Sequence, residues 1–318
     1  MGKPKVLLYE SMHQKGLDYL SDHAEIVWAS GYDEETLCRE AAAVEGIIIR
    51  ANGEATAKIM DSAPLLKIIG RHGVGVDNID IPAATERGIY VVNTPGINNE
   101  AVAEHAVGLM MTLSKRILGG DHAIRNGNWD FRYGIYGQEM MGRTLGVIGL
   151  GNIGYRVAEI CHLAFSMKIL YHDEILKPEA EHSLSAEKVE LAELLRSADY
   201  VSLHVPSLPE TFHLIDGGRI GLMKESAFLI NTSRGPVVDT AALLAALKDE
   251  RIAGAGLDVY EEEPLPQDSE LLKLTNTVLT PHMASHTEEA MMAMSMVAED
   301  IVRVIQGEAP KHPVNTLG

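Results

Sequence analysis

The sequence predicts an α/β protein of two doubly wound domains, each a parallel sheet covered by helices. Three observations lead there. Short β-branched runs alternate with longer amphipathic ones, the pattern of strand–helix–strand crossovers. The strand-like runs are apolar throughout, as strands buried on both faces must be. The alternation forms two series, before about residue 98 and after about residue 144, in a chain of 318 residues, a length that suits two domains.

Taken in order, strands are expected at KVLLY, AEIVWA, GIIIR, LKIIGR and IYVVN in the first series. TLGVIGL, MKILYH, YVSLHV, AFLINT, AGAGLDV and NTVLTP make up the second. Helical periodicity fits 34–43, 80–87, 99–118, 152–165, 187–196, 239–248 and 286–306. Between the series lie one long helix, AVAEHAVGLMMTLSKRI, and a polar Gly-rich stretch, GGDHAIRNGNWDFRYGIYGQE, both suited to hinge and interface roles.

Composition narrows the function. Apolar residues make up 46% and charged residues 23%, the balance of a soluble globular protein. No apolar run reaches bilayer length, and KPKVLLYES does not read as a signal peptide. Cys38 and Cys161 lack metal-ligand spacing, so a reduced, cytoplasmic chain without disulfide or metal is expected. A formal charge of -18 argues against a nucleic-acid partner. An anionic substrate would then need a local cluster of arginines.

TLGVIGLGNIG carries Gly149-x-Gly151-x-x-Gly154 between a strand and a helix that begins near Asn152. Gly149 allows the tight turn, Gly151 lets the backbone approach a pyrophosphate, and Gly154 lets helix and strand pack closely. The helix N-terminus offers unpaired N–H groups to phosphates. Asp173 ends the next strand, where a carboxylate holds both ribose hydroxyls and repels a 2′-phosphate, so NAD is expected over NADP.

Three later strands lead to residue types that hydride transfer needs: Arg234 after FLINTS, Glu263 in GLDVYEEEP, and His282 at the end of TVLTPH. Ligands in open α/β sheets sit beyond the carboxyl ends of strands. Oxidising a secondary alcohol needs a base titrating near neutrality, the role of histidine. A carboxylate on the other ring nitrogen fixes its tautomer, and an arginine clamps a carboxylate in a bidentate fork. This chemistry alone does not choose among Glu261, Glu262 and Glu263.

These segments, with GRHGVGVDNID (70–80), VVNTPG (91–96), VAEHAVGLM (102–110), NTSRGPVVD (231–239) and TPHMAS (280–285), resemble the D-isomer-specific 2-hydroxyacid dehydrogenases along nearly the whole chain. The resemblance implies two Rossmann-like domains with a cleft between them: a substrate domain from 1–98 with 287–318, and an NAD-binding domain over 99–286. It implies Arg234 as carboxylate and carbonyl binder, His282 as acid/base, and Glu263, directly before Pro264, as its partner. Asn152 and Ile153 would meet the pyrophosphate and Asp173 the ribose. Val205 and Pro206 would lie beside the adenine end, His204 would be a cofactor-wall residue and not the base, and Thr232, Ser233 and Asp258 would lie at the nicotinamide end. His105 and His286 are expected to be structural or interfacial. Members are usually homodimers joined through roughly 99–143, where Arg132 would reach across.

Arg50 and Arg71 stand where phosphoglycerate-oxidising members carry arginines, and the backbone of Gly73 and Val74 would meet the substrate carboxylate. The expected substrate is therefore 3-phosphoglycerate, in a short form without an appended regulatory domain. Ala51 and Val74 depart from the commoner serine and threonine. Rival readings are hydroxypyruvate, glyoxylate or another D-2-hydroxyacid as substrate, and an NAD(H)-sensing corepressor-like binding protein. Alternatively, Arg50 and Arg71 would form ion pairs with local carboxylates such as Glu54 or Asp77.

Overall fold

The computed structural model describes residues 2–317. The chain divides into two compact units, one made of the residues up to Asn98 and those from His286 onward, the other of Asn99–Ser285. His286, expected at the end of the second unit, falls in the first, where it hydrogen-bonds Arg50.

The first unit holds β1 (Lys5–Leu8), β2 (Glu25–Trp28), β3 (Gly46–Ile49), β4 (Ile68–Arg71) and β5 (Tyr90–Val92). They form a parallel sheet in the order β2-β1-β3-β4-β5. Successive side chains on a strand point to opposite faces, so each strand feeds two cores. Leu7, Ile47, Ile49 and Ile69 join one; Val6, Leu8, Ile48 and Ile68 join the other with Val297 and Ile301. A Cβ on Gly70 would lie 3.0 Å from both Val297 and Ile301, so the glycine lets the helix Val297–Ile305 settle onto β4. The chain's last segment is stitched in by Asn315, which accepts from the Val91 amide (2.8 Å) and donates to the Ile89 carbonyl (2.9 Å).

The second unit contains β6 (Thr144–Ile148), β7 (Lys168–His172), β8 (Glu187–Lys188), β9 (Tyr200–Leu203), β10 (Phe228–Asn231), β11 (Gly254–Leu257) and β12 (Thr277–Leu279). Their order is β12-β11-β10-β9-β6-β7-β8, again parallel. The chain reverses direction across the sheet between β6 and β9, a switch point whose strand ends make a natural crevice. The helix Asn99–Ser114 packs on this sheet, where a Cβ on Gly256 would lie 3.0 Å from the Leu109 Cβ.

Several expected elements are corrected. The helix expected over 99–118 stops at Ser114, since Arg116 takes a left-handed φ of 53°, and a second helix runs Ile117–Arg125. Residues 187–188 pair with β7 as a short edge strand, and the helix expected from 187 spans only Leu191–Ser197. The terminal helix expected over 286–306 divides into Glu288–Met294 and Val297–Ile305. Helices at Gln14–His23, Ala57–Asp61, Pro178–Leu184 and Gly217–Ile220 are additional.

Candidate active site

The glycine loop follows β6. Gly149 has φ +87°, and a Cβ there would sit 2.6 Å from the His204 carbonyl oxygen. A Cβ on Gly154 would lie 2.2 Å from the Gly149 oxygen, so only glycine lets the helix Asn152–Phe165 start this close to the strand. A Cβ on Gly151 would meet nothing within 4 Å, and the residue caps that helix with no side-chain hydrogen bond. The cradle therefore suits a pyrophosphate, approached by open backbone at a helix N-terminus. Ile153 packs its side chain against the core, which leaves its backbone as the group it can offer.

Asp173 is tied to this loop. Its Oδ2 accepts from the Leu150 amide (2.8 Å) and its Oδ1 from the Ile175 amide (2.9 Å). Lys177 Nζ lies 3.6 Å from Oδ2, a cation that the reading of this site from sequence did not include. Across the loop, His204 Nε2 bonds Ser202 Oγ (2.8 Å), and burial pushes the imidazole down to about 3, so it stays neutral. Val205 would touch a Cβ on Gly149 at 2.7 Å, and the Pro206 carbonyl accepts from Thr211 Oγ1 (2.6 Å).

The turn after β10 is shaped by Asn231, a residue the sequence did not single out. Its side-chain oxygen accepts from the amide and hydroxyl of Ser233 (3.0 and 2.8 Å), and its Nδ2 donates to the Arg234 carbonyl (2.9 Å). Arg234 Nη1 donates to the Ser233 carbonyl (2.7 Å). Thr232 is 8% exposed, and its hydroxyl oxygen is buried without a protein partner. A buried polar atom of this kind costs free energy unless a ligand satisfies it, which fits a nicotinamide cofactor beside it.

Beyond β11 and β12, Glu263 Oε2 and His282 Nδ1 stand 2.7 Å apart. Glu263 Oε1 also accepts from the Tyr260 amide (3.0 Å). Burial raises the Glu263 carboxyl, but the contact with His282, the Tyr260 amide and the Arg234 charge outweigh it and hold the carboxyl below its ordinary range. His282 sits at a left-handed φ of 49°, a strained backbone that persists only when its surroundings fix it. The fixing group is Asp258, 0% exposed, which receives the amides of Met283 and Ala284 (both 2.9 Å) and the Thr280 hydroxyl (2.6 Å). Since Thr280 gives its proton to Asp258, its oxygen accepts from His105 Nε2 (3.0 Å).

A sequence profile for the D-isomer specific 2-hydroxyacid dehydrogenase NAD binding domain matches residues 107–284, more than half of the chain. The chain belongs to the D-isomer-specific 2-hydroxyacid dehydrogenases. It is similar to a glyoxylate reductase of Thermofilum pendens, 43% identical over 99% of this chain and 95% of the relative. A D-3-phosphoglycerate dehydrogenase of Archaeoglobus fulgidus is 42% identical, and the match spans 98% of this chain but only 59% of that protein's length. A crystal structure of a Thermus thermophilus protein superposes with a TM-score of 0.92 at 37% identity, covering 98% and 100% of the two chains.

As a member of this NAD-dependent oxidoreductase family, the dehydrogenase also has basic groups to account for in its first unit. Arg50 donates to the Ser11 carbonyl (3.3 Å) and to His286 Nε2 (2.5 Å). Its partners do not include Glu54, whose backbone carbonyl instead accepts from Tyr9. Arg71 lies beside it, since Ile49 and Arg71 are register partners in β3 and β4, and its Nη1 donates to the His72 carbonyl (2.6 Å). Gly73 is buried at φ +134°. The carbonyls of Gly73 and Val74 accept from Thr94 (3.0 and 3.1 Å) and Asn93 (2.7 Å). Among the described residues the amides of Gly73 and Val74 meet no protein acceptor, as suits a place for an anionic ligand. Also among those residues, no group of three His, Cys, Asp or Glu is arranged for a metal ion, and no helix is long and apolar enough to cross a membrane.

Proposed function

We propose that this dehydrogenase oxidises D-2-hydroxy acids carrying a second anionic group, 3-phosphoglycerate foremost, and runs reversibly. The observation that carries the chemistry is the 2.7 Å contact between Glu263 and His282. With Nδ1 committed to Glu263, Nε2 is the ring nitrogen that takes the C2 hydroxyl proton as the carbonyl forms. The ionised Glu263 favours the imidazolium produced by that transfer. Arg234 binds the substrate carboxylate and polarises the C2 oxygen; in the first unit, the amides of Gly73 and Val74 are the backbone donors for a substrate anion. NAD supplies the acceptor for the hydride leaving C2. Gly149, Gly151, Asn152, Ile153 and Gly154 would hold its pyrophosphate, Asp173 its ribose, Val205 and Pro206 its adenine side, and Thr232, Ser233 and Asp258 its nicotinamide side, with His204 in the wall of the cofactor site.

The finer substrate reading rests on Arg50 and Arg71, two guanidiniums at the ends of adjacent strands in an acidic protein. A phosphate takes two such donors well. A second reading, reduction of glyoxylate or hydroxypyruvate, is favoured by the end-to-end match with the Thermofilum glyoxylate reductase. Initial rates decide between them, measured with NAD on 3-phosphoglycerate, D-glycerate and D-lactate, and with NADH on glyoxylate and hydroxypyruvate. Two charge-assisted contacts should give 3-phosphoglycerate a kcat/KM advantage over D-glycerate of roughly 100-fold or more. Equal values would transfer the assignment to the unphosphorylated acids.

We also take the units to divide the labour, with substrate-binding groups in the first and NAD-binding groups in the second. A homodimer through 99–143 accords with the exposed apolar residues Ile117, Leu118, Ile124 and Trp129 in that segment. Arg132 there lies over the rings of Trp129 and Tyr133. A reducing, cytoplasmic setting suits the two free thiols, Cys38 and Cys161.

A further inference from the structure

Arg50 is held unusually well for a long cationic side chain. Its backbone leaves β3 into a loop fixed by Glu10, whose Oε2 accepts from the amides of Ala51 and Asn52 (2.6 and 2.8 Å) and whose Oε1 accepts from Asn52 Nδ2 (2.8 Å). Its guanidinium then meets three acceptors: the Ser11 carbonyl at 3.3 Å, His286 Nε2 at 2.5 Å and the Met291 sulfur at 3.6 Å. An arginine has donors only. The Nε2 of His286 must therefore present its lone pair, which makes the ring neutral with its proton on Nδ1.

All three acceptors are then uncharged. They fix where the guanidinium points without cancelling its charge, whereas a carboxylate in the place of His286 would fix it and cancel it. The group behind the pair is neutral as well. His72 is 2% exposed and bonds Ser295 Oγ through Nε2 (3.1 Å), and burial together with the Arg50 charge keeps its pKa near about 3. Arg71 Nη1 donates to the His72 carbonyl, next to this group.

We infer that His286 is a specificity-determining positioning residue: as a neutral acceptor it aims the charged Arg50 guanidinium at the distal anion of the substrate. The inference rests on the reading of Arg50 given under Proposed function. It assigns a role to a histidine that the sequence analysis set aside as structural or interfacial.

Steady-state oxidation by wild type, Arg50→Ala, His286→Ala, His286→Gln and His286→Glu, on 3-phosphoglycerate and on D-glycerate, tests it. His286→Ala should raise KM for 3-phosphoglycerate about tenfold more than KM for D-glycerate, the scale of one charge-assisted contact, with kcat moving less than KM. His286→Gln, whose side-chain oxygen is also a neutral acceptor, should recover most of the loss. His286→Glu, which can still accept but neutralises Arg50, should not recover it. If Arg50→Ala erodes the preference for phosphoglycerate while His286→Ala does not, the inference is overturned and the substrate reading stands. Equal effects of His286→Ala on both acids, or rescue by glutamate as good as by glutamine, also overturn it. If Arg50→Ala leaves the ratio between the acids unchanged, the substrate reading itself fails.

Discussion

Asp258 and His282 are linked through backbone rather than side chain. The Asp258 carbonyl accepts the His282 amide (2.8 Å), and its carboxylate accepts the next two amides, those of Met283 and Ala284. A buried carboxylate with three strong donors clamps the loop on which the proposed base stands, at a residue whose φ of 49° would otherwise relax. Asp258→Asn should therefore do more than remove a charge. One amide oxygen cannot serve both backbone donors, and the new NH2 would confront an N–H. We expect a stability loss of at least about 2 kcal/mol, seen as a lower melting temperature. A roughly tenfold or greater fall in kcat should accompany it as the base loses its position. An unchanged melting temperature would argue that Asp258 does not hold the loop.

His282→Asn should lower kcat at least roughly 100-fold, the usual scale for losing a positioned acid/base, with NAD affinity nearly unchanged. Glu263→Gln tests the pair differently. Glu263 meets two donors, His282 Nδ1 through Oε2 and the Tyr260 amide through Oε1, and glutamine offers one acceptor oxygen in their place. With one oxygen for two donors, His282 loses its fixed tautomer and orientation, and kcat should fall roughly tenfold or more. An unchanged kcat in Glu263→Gln would separate the two residues functionally.

Asp173 should make NAD strongly preferred over NADP, since a second anion would face the carboxylate. Lys177, 3.6 Å from it, sharpens the expectation for the variant. In Asp173→Ala the lysine loses its carboxylate and becomes available to a 2′-phosphate. NADP use should rise as NAD use falls, and Asp173→Ala/Lys177→Ala should lose the gain in NADP. Parallel titrations of both cofactors check this, and wild-type enzyme that used the two equally would remove Asp173 from the ribose site.

Much of the fold was legible because its signals are local. The apolar strand runs, the glycines at 149, 151 and 154 and the ends of β10 to β12 each follow from residues adjacent in sequence. What was missed depends on residues distant in the chain or on weak local patterns. Arg116 breaks the long helix inside an unbroken periodic pattern, and β8, two residues long, exists only by pairing with β7. Asn231 shapes the Arg234 turn through bonds that no motif announces. His286 acquires Arg50 as a partner from 236 positions away, and Asp258 its amides from across 25 and 26. Chemistry-bearing residue types can be read from spacing, whereas the groups that aim them cannot.

His72 gives the fold a specific acid sensitivity. It is 2% exposed, and burial is the largest cause lowering its pKa from 6.5 to about 3, with the charge of Arg50 next. In the unfolded chain it would titrate at its ordinary value. Above that value both states are neutral and His72 contributes no pH dependence. Below it the unfolded state binds a proton that the folded state refuses until about pH 3, so stability falls as pH falls, by on the order of 1 kcal/mol per pH unit for one proton. His204, also lowered to about 3, acts in the same direction. The window from about pH 6.5 to 5 isolates these histidines from most carboxylates, which titrate lower. Urea unfolding at several pH values in that window should give a shallower slope of stability against pH for His72→Gln than for wild type. The comparison is of slopes, so a constant loss from the altered contact with Ser295 does not disturb it. Parallel slopes would mean that His72 takes up its proton in the folded protein, and the neutral backing behind Arg50 would have to be abandoned.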